Sequence, residues 1–311
     1  MVIINFFTVF SQVLVLFFIL FLGFFMRRYN IVDENLNENL ANIVLSISFP
    51  SLILISMDYQ FSLERLFIIR DMFLITLVIF LIMIAIAYIV VNYVMSSTPD
   101  KNSIYQFMIV FGNTVFIGFP IVDVIFGREG IFLAAIYNLV VNIFLWTFGV
   151  IIMTKDEQEG GFSYKKLLNP GIVAVIIGFV IFLFSIEIPG LINDLLEMLG
   201  GTTTPLALLV VGSTLAKVKV SNVFSNFKLW TIALFRQLVF PLLVFVILNL
   251  LNFDFLIVSI SVILTGMPIA SLTAIFAERY KKHPPVVASE GVFFGTLLAL
   301  ITIPLVVSII T

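Results

Sequence analysis

The residues best suited to chemistry in this chain lie in two copies of one short phrase. Gly118-Phe119-Pro120-Ile121 and Gly266-Met267-Pro268-Ile269 both read G-x-P-I, and each sits inside a long apolar run. Proline removes a backbone donor and crowds the carbonyl one turn back, so each copy is expected to break a helix. In hydrocarbon a broken helix is tolerated only where protein or a water-filled cavity satisfies the freed backbone. Gly118 and Gly266 would allow close backbone approach. A half-helix that starts near Pro120 or Pro268 presents unpaired N–H groups and about half a positive charge. Two such ends facing one cavity favour an anion, which points to a carboxylate-bearing substrate.

A second set of polar residues interrupts the apolar runs. Asn138 and Asn142 are four apart, hence on one helix face, where they could line a cavity or bond a neighbouring helix. Asp71, Asp123, Arg236 and Glu290 are ionisable groups at or within apolar runs. A charge at membrane depth costs roughly 2.5–3.5 kcal/mol or more, so each needs a partner, a proton or ion to couple, or access to water. Asp123 could bind a proton or cation, pair with Arg236, or reach the outer interface. Arg236 could meet a dicarboxylate as a bidentate donor, pair with an acid, or snorkel inward. With no cysteine and one histidine, His283, the chain offers no disulfide, no thiolate and no histidine cluster for a metal. No cofactor and no nucleic-acid partner is expected.

The elements that carry these residues are membrane spans. The chain has 311 residues, 61% of them hydrophobic and 11% charged, a balance that no soluble surface tolerates. An all-α polytopic membrane protein follows, with the lipid bilayer as its surroundings. Ten runs are long enough to span: 5–25, 37–57, 71–94, 103–126, 130–153, 170–187, 192–216, 229–251, 255–279 and 285–310. The first reads as a retained span rather than a signal peptide. With both termini outside, the cytoplasmic ends carry Arg27, Arg28, Lys101, Lys155, Lys165, Lys166, Lys217, Lys219, Lys228, Arg279, Lys281 and Lys282. The outer ends carry only Arg65, Arg70 and Arg128. That bias places a multi-pass protein in the cytoplasmic membrane and supports the even span count.

Ten spans with an external N-terminus divide into a first five-helix repeat, 1–153, a cytoplasmic linker, 154–169, and a second repeat, 170–311, which enters the membrane inverted. Pro50 in span two matches Pro205 in span seven, and the two G-x-P-I copies match in spans four and nine.

The stretch Asn113-Thr114-Val115-Phe116-Ile117-Gly118-Phe119-Pro120 resembles the N-T-x-x-x-G-x-P stretch of the auxin efflux carrier family. Phe276-Ala277-Glu278-Arg279-Tyr280, His283-Pro284 and Gly291-Val292-Phe293-Phe294-Gly295-Thr296 are similar to its ninth and tenth spans, and Arg236 with Pro241 to its eighth. The resemblance covers the whole chain and suits a bacterial or archaeal member of the bile acid/auxin carrier superfamily. It implies two inverted five-helix repeats whose broken helices four and nine cross at the substrate. It implies a homodimeric scaffold of spans one, two, six and seven, and an elevator of spans three to five and eight to ten. Plant members export indole-3-acetate; bacterial relatives are linked to malate, malonate and similar carboxylates. Asn113 matches an asparagine that contacts the substrate carboxylate, and Asn142 precedes Trp146 where plant carriers place a glutamine. Asp123 stands where plant carriers have a lysine, and span two is apolar where they offer a serine. Both differences argue for a substrate other than auxin.

A secondary transporter exporting a small organic anion is therefore expected. The competing readings are a sodium-coupled organic-anion symporter of the bile acid type and a membrane sensor. An intramembrane enzyme lacks its metal set, aspartate pair or Ser/His dyad, and an ATP-driven pump lacks its P-loop.

Overall fold

A computed structural model describes residues 6–95, 98–154, 169–216, 223–279 and 286–310. Among these the chain is helical, with a single isolated β-bridge and no strand. In chain order the helices are α1 Phe6–Arg28, α2 Glu34–Ser56, α3 Leu63–Met95 and α4 Pro99–Val110. The Thr114–Thr154 stretch is bent at Gly127, whose φ of 56° and ψ of −144° are not helical, which divides it into α5 (114–126) and α6 (128–154). There follow α7 Pro170–Leu183, α8 Gly190–Leu215, α9 Phe227–Leu250, α10 Phe255–Thr265, α11 Leu272–Arg279 and α12 Val286–Ile310. Six stretches (α2, α3, α5 with α6, α8, α9 and α12) are long and apolar enough to cross a membrane. The expected linker beyond Thr154, with Lys155, Lys165 and Lys166, lies outside the described residues. So do Lys217, Lys219, Lys281, Lys282 and His283.

Side-chain oxygens start several of these helices. Asp33, Ser62, Asn169 and Asp254 accept the backbone N–H of Leu36, Arg65, Ile172 and Leu256 at 2.7, 3.2, 3.0 and 2.8 Å. Each satisfies one of the donors that a helix start leaves orphaned.

Three of the prolines that sit inside helices share one device that lets the helix continue. Pro50, Pro120 and Pro241 each follow a π-helical turn: 44–48, 114–118 and 235–239. In each case the residue before proline donates five residues back, to the carbonyl of Val44, Thr114 or Phe235. The wide turn is where the ladder absorbs the donor that proline lacks and relieves the crowding of its ring. The expectation that Pro120 breaks span four is thus corrected: the break falls at 111–113, ahead of the proline, and Gly118 and Phe119 have helical φ/ψ.

The helices pack in two groups. In one, α1 lies along α8, and α2 packs on α7 and α8. The other holds α3 to α6 and α9 to α12, with α3 against α4 and the α5–α6 stretch, α9 against α10, and α11 against α12. The groups meet where α5 and α6 face α2, α7 and α8, and where α1 faces α12. Phe49 of α2 meets Phe119 of α5 edge-on at 4.7 Å between ring centres. The α1–α8 contact is a close backbone approach: a Cβ on Gly212 would run into the Leu20 carbonyl, and one on Gly23 into the Leu209 carbonyl. Small residues are what allow helices to approach this closely in a membrane. Gly212→Val is accordingly expected to lower stability by about 1–3 kcal/mol or more. At Gly201 an added Cβ meets nothing within 4 Å, so Gly201→Ala should stay within about 0.5 kcal/mol of wild type. Unfolding midpoints of the purified variants in one detergent check both.

Candidate functional site

The two chain breaks lie against each other. After α4 ends at Val110 the chain is extended through Phe111–Asn113, and after α10 ends at Thr265 it is non-helical through Ser271. Gly112 and Ile269 form an antiparallel bridge. The Asn113 N–H donates to the Pro268 carbonyl at 2.7 Å, and the Ala270 N–H to the Phe111 carbonyl at 3.0 Å. Backbone freed at one break therefore finds its partner at the other, which is how unwound chain is held in apolar surroundings.

The G-x-P-I copies take different places relative to the breaks. The second, Gly266 to Ile269, is itself the unwound segment, with Pro268 supplying a carbonyl acceptor. The first lies inside α5, with Gly118 at 2.8 Å (for an added Cβ) from a Leu264 methyl and 3.1 Å from Met267 Cγ. The close approach expected of Gly118 is thus to side chains. At Gly266 an added Cβ would meet only ordinary contacts at 3.4 Å, so that glycine is not there for want of space.

Asn113 sits in the break itself, seven residues ahead of Pro120, where the sequence predicts the break. Its Oδ1 accepts the Phe116 N–H at 3.3 Å and so caps α5. Its Nδ2 donates to Ser271 Oγ, 3.0 Å away and one residue before α11 begins. One buried amide therefore links the N-terminal ends of both second half-helices. Beside it, Thr114 Oγ1 donates to Asn138 Oδ1 at 3.1 Å. Asn142 continues away from the crossing: its Nδ2 donates to the Asn138 carbonyl at 2.8 Å, and its Oδ1 accepts from Asn169 Nδ2 at 3.1 Å. Since Asn169 caps α7, this polar ladder runs from the crossing to the other helix group.

Arg236 lies in the π turn of α9 and is completely buried. None of the three roles foreseen for it describes its contacts, because its partners are backbone carbonyls. Nη1 donates to Val110 at 2.7 Å and Ile109 at 3.4 Å, and Nε to Met267 at 3.0 Å. Nη2 is buried without a hydrogen-bond partner among the described residues, in the space that a Cβ on Gly112 would take. Nearby, Tyr137 and Thr265 share a hydroxyl hydrogen bond of 3.1 Å.

The remaining charged candidates lie apart from the crossing. Asp123 accepts from Thr204 Oγ1 at 3.4 Å, across the contact between α5 and α8. Asp71 pairs with its neighbour Arg70 at 2.6 Å on the surface, and Glu290 is half-buried near the start of α12. Three residues in these networks escaped the sequence reading. Asn169 carries a signal, an Asn-Pro pair opening an apolar run, which is a helix-start pattern. Ser271 and Thr204 carry none, being hydroxyls among many.

An apolar helical bundle around two mutually paired chain breaks is the architecture of a membrane transporter. The chain belongs to the membrane transport protein family, that of the auxin efflux carriers, whose model matches residues 8–307. It is similar to an uncharacterized transporter of Methanocaldococcus jannaschii, 26% identical over 94% of this chain and 96% of that one. A second, from Methanothermobacter thermautotrophicus, is 25% identical over 91% of this chain and 92% of its own.

An exposed ion pair contributes about 0–1 kcal/mol. Asp71→Asn should therefore change the unfolding free energy by less than about 1 kcal/mol, measured by denaturant titration in detergent. A larger loss would mean that Asp71 has a partner beyond Arg70.

Proposed function

We propose that the protein is a secondary transporter, moving a small organic anion across the cytoplasmic membrane by elevator-type alternating access. The substrate class is mono- or dicarboxylates such as malate or malonate, and the direction is export. In this reading ten spans form two inverted five-helix repeats, with α4–α5 as broken span four and α10–α11 as broken span nine. Both termini are outside.

The observation that carries the anion assignment is the Asn113–Ser271 contact of 3.0 Å. It brings the starts of α5 and α11 to one place, where two sets of N-terminal N–H groups and two positive dipole ends meet. An amide donor between two such ends suits a carboxylate, which can take the Asn113 Nδ2 hydrogen in exchange for Ser271. The elevator assignment draws on the division into two helix groups. The group with α1, α2, α7 and α8 is the scaffold, and it would carry the homodimer contact. The group holding the crossing moves. Asp123, at the contact between the groups, is the candidate for coupling to a proton.

Asn113→Asp separates these roles. Aspartate keeps the Oδ1 cap of α5 but replaces the Nδ2 donor with a negative charge. Stability should stay near wild type, while carboxylate affinity, read as ligand-induced thermal shift across a mono- and dicarboxylate panel, should fall about 10–100-fold. Equal thermal shifts in Asn113→Asp and wild type would remove Asn113 from the site. Absence of any carboxylate response in wild type, together with no flux in vesicles, would remove the anion assignment itself.

A further inference from the structure

We infer that Arg236 is a built-in counter-ion. Its guanidinium does at the crossing what a bound metal cation does in a site made from helix C-termini and unwound carbonyls. The crossing then needs no metal cation to hold it together.

A helix end leaves its last carbonyls without intrahelical donors, and those carbonyls carry about half a negative charge. Two such ends converge here, because α4 stops at Val110 and α10 at Thr265. Brought together away from water, they repel each other and lack hydrogen-bond donors. In transporters built on discontinuous helices, ends and carbonyls of this kind are where a coupling cation is coordinated. Arg236 fills that place from α9, taking Ile109 and Val110 from the end of α4 and Met267 from the unwound segment that follows α10. The four ion pairs among the described residues all lie elsewhere, so the counter-charge to this buried cation is the pair of helix ends.

Three local features serve that placement. The π turn at 235–239 carries Arg236. Gly112 leaves open the volume that Nη2 occupies. The planar fork has donors on two edges, so one group reaches two chain segments, which a lysine ammonium on the same stem does less well. Arg236 is on this view a positioning residue: it holds the end of α4 and the segment after α10, across the breaks from the starts of α5 and α11 that form the anion site, and it does not touch the substrate.

The test is thermal unfolding of the purified full-length protein in choline, sodium or guanidinium chloride at equal, millimolar concentration. Wild type should unfold at one temperature in all three. Arg236→Ala should unfold about 10 °C lower in choline, since several buried carbonyls lose their donor. Guanidinium should recover a substantial part of that loss, and sodium a smaller part, because either can enter the place left by the side chain. Gly112→Ala keeps the charge but displaces it, so it should be destabilised and not rescued by guanidinium. If Arg236→Ala is too unstable to purify in choline, it is purified in guanidinium chloride and exchanged into the three salts for the measurement; failure to recover folded protein even with guanidinium counts as a loss that no cation recovers. Wild type that is stabilised by sodium over choline would overturn the inference. So would an Arg236 variant whose loss no cation recovers, or one with no loss at all. These readouts need no substrate, so they can fail or hold independently of the transport assignment.

Discussion

Backbone groups released where two helices stop have to find partners out of reach of water, and in this protein they find them in each other. The Asn113 N–H to Pro268 and the Ala270 N–H to Phe111 hydrogen bonds join the breaks directly. Arg236 takes carbonyls from the end of α4 and from the unwound segment after α10, and Asn113 with Ser271 links both N-terminal starts. An unpaired buried backbone group costs about 1–3 kcal/mol, so losing several at once would rival the stability of a domain. The crossing is therefore arranged as one unit, negative helix ends on the arginine and positive helix starts on the amide. On the proposed function, that separation of charge assigns the anion to the N-terminal side.

The apolar packing around the crossing serves the same constraint. The wide turns ahead of Pro50, Pro120 and Pro241 let helices continue through prolines that would otherwise break them, so the breaks are confined to two places. The two helix groups touch through few polar contacts. Asp123–Thr204, Asn142–Asn169 and an exposed Arg128–Glu197 pair of 2.7 Å span the boundary. Of these only Arg128–Glu197 is a surface ion pair, which contributes about 0–1 kcal/mol; the other two are part-buried hydrogen bonds.

Much of this was legible in the chain before any coordinates. The apolar runs, the presence of a break in each of the runs 103–126 and 255–279, and the family resemblance all came from residue types and spacing. What was not legible has a physical reason in each case. Proline marks where a donor is missing, and a π turn can absorb that loss, so Pro120 pointed to the right helix but to the wrong residue within it. The G-x-P-I copies looked equivalent, yet one is unwound and the other helical, because four residues do not encode which neighbours supply the missing hydrogen bonds. Arg236 was sought beside an acid or a ligand; its actual partners are carbonyls, which every residue has and no sequence singles out. Asn113 stood out through its family stretch, but its partner Ser271 lies 158 positions away and only the fold brings them together.

Anion binding between the starts of α5 and α11 is open to direct observation. An experimental structure of the reconstituted protein with a saturating dicarboxylate addresses it most directly. The predicted result is carboxylate density within hydrogen-bond distance of Asn113 Nδ2 and the first N–H groups of α5 and α11, with Arg236 still on the carbonyls of Val110 and Met267. Carboxylate density on Arg236, or at a place away from both helix starts while Asn113 keeps Ser271, would contradict it.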